Sequence, residues 1–217
     1  HRLDARLRPE DTALTVREVV RFTNPSAFPL NELRLHVYMN AFRDLDSTFM
    51  REATAEFRAK WREQDFSRVQ LQRVALGEAS DAPAAEHEFI APDDDNAQDA
   101  TVLRVALPQP LAPGGEVVVA IDFDLRLPKA LRRTGWIPGN GFFCMHWYPI
   151  LGVVEDRDGV ATWNCHQFHY NTEFYADFAD YDVTLRLPDA GYVVGATGGV
   201  PVESSIVDGL EVIRYRQ

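Results

Sequence analysis

Hydrophobic and polar residues take turns along most of this chain. In ALTVREVVRFTN (13–24), Leu14, Val16, Val20 and Phe22 share one face, with Thr15, Arg17, Arg21 and Thr23 opposite. ELRLHVYMN (32–40) sets Leu33, Leu35, Val37 and Met39 against Arg34, His36 and Tyr38. GEVVVAIDFDLRLP (115–128) is the longest case: Val117, Val119, Ile121, Phe123, Leu125 and Leu127 form one row, and Asp122, Asp124 and Arg126 the other. Late in the chain, Tyr181, Val183, Leu185 and Leu187 alternate with Asp182, Thr184 and Arg186. Successive strand side chains point to opposite faces, so each run predicts a strand with one dry and one wet side. NPSAFP (24–29), APGG (112–115), DRDG (156–159) and VDGL (207–210) separate the runs with turn-forming residues. LRLP closes a strand at 125–128 and again at 185–188, a coincidence too short to be a repeat.

One stretch breaks the alternation. STFMREATAEFRAKWREQDF (47–66) spaces Phe49, Ala53, Phe57 and Trp61 four apart, with Ser47 positioned as an N-cap. That is helical spacing and predicts a helix, with room for an interruption. The polar segment 78–100 reads as a loop around a short extended piece at 88–91. Many short strands, tight turns and no parallel βαβ rhythm define an all-β fold: an antiparallel sandwich or curved sheet with a short helical insert.

Composition narrows the function. The 217 residues are 46% hydrophobic and 25% charged, enough for a core that needs no disulfide or metal staple. A formal net charge of −11 argues against nucleic acid, whose phosphates are bound by releasing counterions to lysine and arginine. Arg132 and Arg133 are a local pair, not a basic footprint. No apolar run approaches the ~18 residues of a membrane-spanning helix, so no membrane insertion is expected. The chain starts at His1 without a charged-then-apolar leader, and VDGLEVIRYRQ (207–217) reads as a turn and a strand that stops without a partner. Both features lead us to expect a domain, 1–217, cut from a longer protein. Cys144 and Cys165 are expected as reduced, buried thiols.

Catalytic motifs are missing. HEFIA (87–91) lacks the second histidine of H-E-x-x-H, and no G-x-S-x-G, Walker or G-x-G-x-x-G pattern occurs. GNG (139–141) and GATGG (195–199) read as turn glycines. DDDN (93–96) lacks the glycine of a calcium loop. CMH (144–146) and CHQFH (165–169) supply Cys144, His146, Cys165, His166 and His169, all good ligand types. Their spacing is not that of a structural zinc site, and adjacent strand residues 165 and 166 face opposite ways, so satisfied histidines and no metal are expected.

Longer patterns are more specific. GFFCMHWYPILGVVEDRDGVATWN (141–164), then EFYADFADYDVTLRLPDAGYVVGATGG (173–199), resemble the amino-terminal domain of aminopeptidase N-type zinc metallopeptidases, the gluzincins. The matching features are Trp147-Tyr148-Pro149 before an acidic turn, the segment Glu173 to Pro188, and Val193 to Gly198. LNELRLHVYMNAF (30–42) and STFMRE (47–52) look like the family's early strands and the segment after them. The resemblance implies a saddle-like, non-catalytic β-domain beside a thermolysin-like catalytic domain that follows residue 217. It also implies no cofactor here, zinc in that catalytic domain, and two partners: the catalytic domain and peptide substrate. A secreted or periplasmic location would follow the family's habit. The family's Q-x-E-P-like segment has no counterpart here, ALPQPLAP (106–113) standing in another context. The parent could therefore be an aminopeptidase, an endopeptidase-like enzyme or an inactive scaffold.

Within 173–188, Phe174, Phe178 and Tyr181 are expected to pin the segment to the sheet while acids hold its wet side. Glu173, Tyr175, Asp177 and Asp180 are the candidates for a surface facing substrate or the catalytic domain. A rival reading is a stand-alone ligand- or carbohydrate-binding sandwich, with Trp136, Trp147, Tyr148 and Trp163 as an exposed platform instead of core rings.

Overall fold

The alternating runs fold as strands. The structure, a computed structural model, describes residues 1–130, 133–139, 141–188 and 198–217. Arg132, Asn140 and residues 193–197 of the VVGATG stretch lie outside the described residues.

Strands β1 (Arg2–Arg8), β2 (Ala13–Thr23) and β3 (Leu30–His36) lead into the helical insert. The insert comprises a 3₁₀ turn at Tyr38–Phe42, α1 (Thr48–Glu52), α2 (Ala55–Arg58) and a 3₁₀ turn at Glu63–Asp65. Next come β4 (Arg68–Leu76), β5 (His87–Ile90), β6 (Val102–Leu111) and β7 (Glu116–Arg126). They are followed by β8 (Gly135–Ile137), β9 (Gly141–Phe143), β10 (Ile150–Leu151), β11 (Val153–Arg157) and β12 (Val160–Asn164). The last three are β13 (Asp182–Pro188), β14 (Val200–Val207) and β15 (Leu210–Arg216).

A seven-stranded sheet has the order β14-β15-β13-β1-β2-β7-β4, and a four-stranded sheet the order β10-β3-β6-β5. Their inner rows merge into one core. From the large sheet it takes Leu3, Leu14, Val16, Ile121, Phe123 and Leu125, and from the small one Leu33, Leu35, Leu103 and Val105. The turns obey their chemistry: Asp158-Gly159 and Asp208-Gly209 all have φ between 50° and 81°, the left-handed pair that closes a tight hairpin.

Two expectations are corrected. The insert itself is interrupted, as its spacing left room for: Ala53, with ψ 149°, ends α1, and Thr54 starts α2 by accepting from the Phe57 amide at 3.2 Å. Ser47 does cap α1, accepting from the Met50 amide at 3.2 Å. The four-apart rings still meet, Phe49 to Phe57 at 5.9 Å and Phe57 to Trp61 at 6.2 Å. The large sheet is not wholly antiparallel, because β1 and β13 run parallel with Leu3 opposite Val183. Alternation fixes which face a residue takes but carries no strand direction. Finally, β15 has partners on both sides, β14 and β13.

Glu18 is the one acid on the dry face of β2, in the row of Leu14, Val16 and Val20, and it is fully buried. Its Oε1 lies 2.6 Å from His1 Nδ1. Burial pushes the Glu18 carboxyl up, and the His1 hydrogen bond and charge offset part of that rise.

Phe123 is 1% exposed at the centre of this core. Phe123→Ala should cost about 3–5 kcal/mol, read as a lower urea midpoint with an unchanged slope.

Candidate functional site: an aromatic and acidic surface

No strand or helix occurs between Cys165 and Tyr181, so side chains must hold this stretch. Phe168 and Phe174 stack on each other at 5.0 Å and meet Tyr38 edge-on at 5.1 and 4.8 Å. His146 stacks on Phe174 at 3.9 Å, and His36 on Tyr38 at 4.7 Å. The Tyr38 hydroxyl accepts from the Tyr175 amide at 3.2 Å and donates to the Tyr175 carbonyl at 3.4 Å. One buried ring thus fixes both the packing and the backbone of residues 174–175. Burial pulls the His36 imidazole down to about 4, keeping it neutral, and pushes the Tyr38 phenol up.

A second anchor lies at the far end. Tyr181 stacks on His1 at 5.2 Å, and Tyr148 meets His1 at 5.7 Å. The His1 backbone nitrogen donates to the Asp180 carbonyl at 2.7 Å. Phe174 and Tyr181 therefore pin the segment as expected. Phe178 does not: it projects entirely into solvent, at 104% exposure. Spacing could not separate it from its neighbours, because an irregular segment has no period to read.

Between the anchors the side chains stand outward. Glu173, Tyr175, Asp177 and Asp180 are all exposed in this one segment. Glu173 lies 3.6 Å from Arg133, and Asp177 accepts from the Phe178 amide at 2.8 Å. Phe143 and Met145, which flank Cys144 on the strand and loop leading to His146, are also exposed large hydrophobics.

The other end of the segment is polar and closed. His166 Nδ1 lies 2.6 Å from Asp93 Oδ1. His169 Nδ1 lies 2.8 Å from Glu52 Oε1, and its Nε2 3.4 Å from Asp93 Oδ2. Gln167 donates its side-chain amide to Thr48 and Asp94, each at 2.8 Å, and its backbone amide to Asp93 at 2.6 Å. DDDN is thus a clasp that joins CHQFH to α1. Gln167 and Asp93 were missed in the sequence, because their partners are distant in the chain and no motif encodes them.

His166 and His169 are paired with carboxylates, and burial pushes the Cys144 and Cys165 thiols up to about 12, so with no metal bound both stay protonated near neutrality. Both cysteines are free. Among the described residues, no group of three or more His, Cys, Asp or Glu is arranged to hold a metal ion.

The four large rings of the rival reading are part of the packing. Trp163 is buried, 5.9 Å from Phe22, and Trp147 meets Tyr148 edge-on at 5.3 Å. The indole nitrogens of Trp136 and Trp163 are buried, and all four rings touch the core instead of presenting an open platform.

No protein-family model matches the sequence, and no curated protein matches it. Solved structures do match the fold. An M1 zinc metallopeptidase from Deinococcus radiodurans overlaps with a TM-score of 0.53 at 14% identity, over 100% of this chain and 37% of its own. A mutant M1 zinc metallopeptidase from the same organism, bound to a Tyr-Ser-Ala substrate, gives 0.52 at 12%, over 100% and 38%. A two-domain M1 zinc metallopeptidase mutant bound to L-arginine gives 0.51 at 12%, over the same shares. The chain has an all-β fold that recurs within these metallopeptidase structures, and it spans little more than a third of their length.

Two predictions follow from the two ends of the segment. Phe174→Ala should cost about 1–3 kcal/mol, whereas Phe178→Ala should stay within about 0.5 kcal/mol of the parent in denaturant melts. Burial lowers the His169 imidazole, but Glu52 and then Asp93 outweigh it, so the net shift is upward. Asp94 also faces this imidazole electrostatically. A raised folded value stabilises fully below the unfolded value of about 6.5 and is lost as pH climbs through the folded one. The stability gap between the parent and His169→Gln should therefore narrow from about pH 6 to about pH 8.

Proposed function

We propose that this chain is the non-catalytic amino-terminal β-domain of a zinc-dependent peptide hydrolase, a single domain over residues 1–217. It buttresses a catalytic domain that follows it and shapes the cleft that receives peptide substrate. The observation that carries this reading is coverage: the whole chain overlaps just 37% of an M1 zinc metallopeptidase, leaving room for a second domain. The outward surface of 173–180 supports it. Phe178 in full contact with water, with Tyr175, Phe143 and Met145 also exposed, is apolar area that a partner would cover at a gain of about 25 cal/mol per Å².

In this reading Glu173, Tyr175, Asp177 and Asp180 face the catalytic domain or the substrate. Their negative charge would favour a basic counterpart and steer its approach. Zinc belongs to the catalytic domain, where it supplies an activated water for attack on a peptide carbonyl. This chain holds no proton and donates no ligand in that step. Its contribution is rigidity: the Tyr38 stack and the His1–Tyr181 contact fix the height of the surface between them.

The test uses the full-length protein and the chain alone. Tyr175→Ala and Phe178→Asp in the full-length protein should each lower kcat/KM on a peptide substrate by about tenfold while leaving the melting of this domain unchanged. The chain by itself should hydrolyse neither aminoacyl nor peptide substrates, with or without added zinc. Zinc-dependent turnover by the chain alone would overturn the reading.

A further inference from the structure

The outer face of the large sheet is a charge ladder, and one rung is wrong. Across β1, β2, β7 and β4, one rung reads Asp4–Arg17–Asp122–Arg73, with Asp122 3.6 Å from Arg17 and 3.7 Å from Arg73. The next reads Arg6–Thr15–Asp124–Gln70, where Thr15 donates to Asp124 at 2.7 Å. In both, an acid sits among the cations or polar groups. The rung after them, at the end of the sheet, reads Arg8–Ala13–Arg126–Arg68. It has three arginines, a small residue and no acid.

Like charges directly opposite each other on neighbouring strands destabilise a sheet, so this register costs the fold something. The cost is not offset locally. Arg8 reaches back to Asp124 at 3.1 Å and lies 3.8 Å from Asp11, yet its Nε is buried without a hydrogen bond. Arg126 gives one N–H to the Gln64 carbonyl at 2.9 Å. Among the described residues, neither Arg126 nor Arg68 has a carboxylate within ion-pair distance.

The rung opens onto a shallow, solvent-open groove of about 560 Å³. Arg43 reaches it from the insert, held by Asp44 at 2.9 Å and by the Gln98 carbonyl at 2.7 Å. Phe66 and Ser67 also line it, as do three acids, Asp11, Glu63 and Asp124. Four arginines thus face three acids, in a chain whose overall balance is −11. Asp124 is already engaged by Arg8, Thr15 and Gln72.

We propose that this rung binds a small oxyanion carrying two or more negative charges, of phosphate or carboxylate type, which bridges Arg68 and Arg126. A guanidinium offers paired N–H donors that fit two oxygens at once, and two of them side by side fit a multivalent anion. The site is independent of the peptidase reading, since no residue of 173–180 takes part.

Calorimetric titration of the protein with pyrophosphate, and separately with citrate, tests this at about 50 mM salt, where screening is modest. At least one should bind with a submillimolar Kd, and the preferred one assigns phosphate or carboxylate chemistry. Arg68→Gln should weaken it about tenfold, the loss of a charge-assisted pair. Without ligand, Arg68→Gln should melt at the same temperature as the parent or higher, because a repulsion is gone. Silence from both anions up to about 10 mM would overturn the site. So would undiminished binding by Arg68→Gln, or a lower melting temperature of that variant without ligand, which would make the arginine structural.

Discussion

A backbone without a ladder must find its order elsewhere, and in this chain it does so at Tyr38. The stretch from Cys165 to Tyr181 has no strand partner, yet it crosses the surface that the functional reading depends on. Tyr38 is 3% exposed and contacts four rings, with its hydroxyl bonded to the Tyr175 main chain. A buried phenol without a partner would cost about 1–3 kcal/mol, so the hydroxyl and the segment satisfy each other. The same ring packs in the core and positions the surface. Phe178 can project into water because Phe174 and Tyr181, on either side of it, are held by ring contacts.

The charges follow a similar logic of inside and outside. Glu18 lies in the core and is tolerated because His1 is placed against it, which also brings the His1 ring under Tyr181. The acidic clasp at Asp93 and Asp94 is consumed by Gln167, Thr48 and two histidines. By contrast, among the described residues Asp177 makes only a local bond to the next amide, and Glu173 a loose contact with an exposed arginine. Acids that stabilise the fold are engaged in hydrogen-bond networks, even where they are exposed, and acids of the candidate surface make few contacts. That division separates structural carboxylates from available ones more sharply than their number does.

Strand existence was legible because alternation over β2, β7 and β13 is long and uninterrupted. The Asp-Gly turns were legible because their backbone requires those residues. The Ala53 break was not, since Phe49, Ala53, Phe57 and Trp61 keep their spacing through it; Thr54, a second capping residue seven after Ser47, was the signal available. The parallel β1–β13 pair joins opposite ends of the chain, beyond any local pattern. Glu18 stands in the row of Leu14, Val16 and Val20, but alternation alone did not mark it as a buried acid, and its place there depends on His1. The exposure of Glu173, Tyr175, Asp177 and Asp180 was readable, whereas the outward turn of Phe178 was not.

Local rules fail in several places, among them buried indole and imidazole nitrogens without a partner among the described residues and the exposed apolar side chains of β14, and two of these failures have something in common. Phe178 and the Arg126–Arg68 pair each carry an unfavourable term that the chain itself does not relieve: apolar area in water in one case, like charges in register in the other. Elsewhere the same sequence resolves such a conflict, with an acid between cations on the ladder, and His1 beside Glu18 satisfies one of its two buried oxygens. The two binding proposals take these as places that an outside group completes. The two exceptions call for opposite chemistry, an apolar and basic counterpart at 173–180 and an anion at the end of the sheet. A single partner surface would have to change character to serve both, so the two proposals describe two separate binding events.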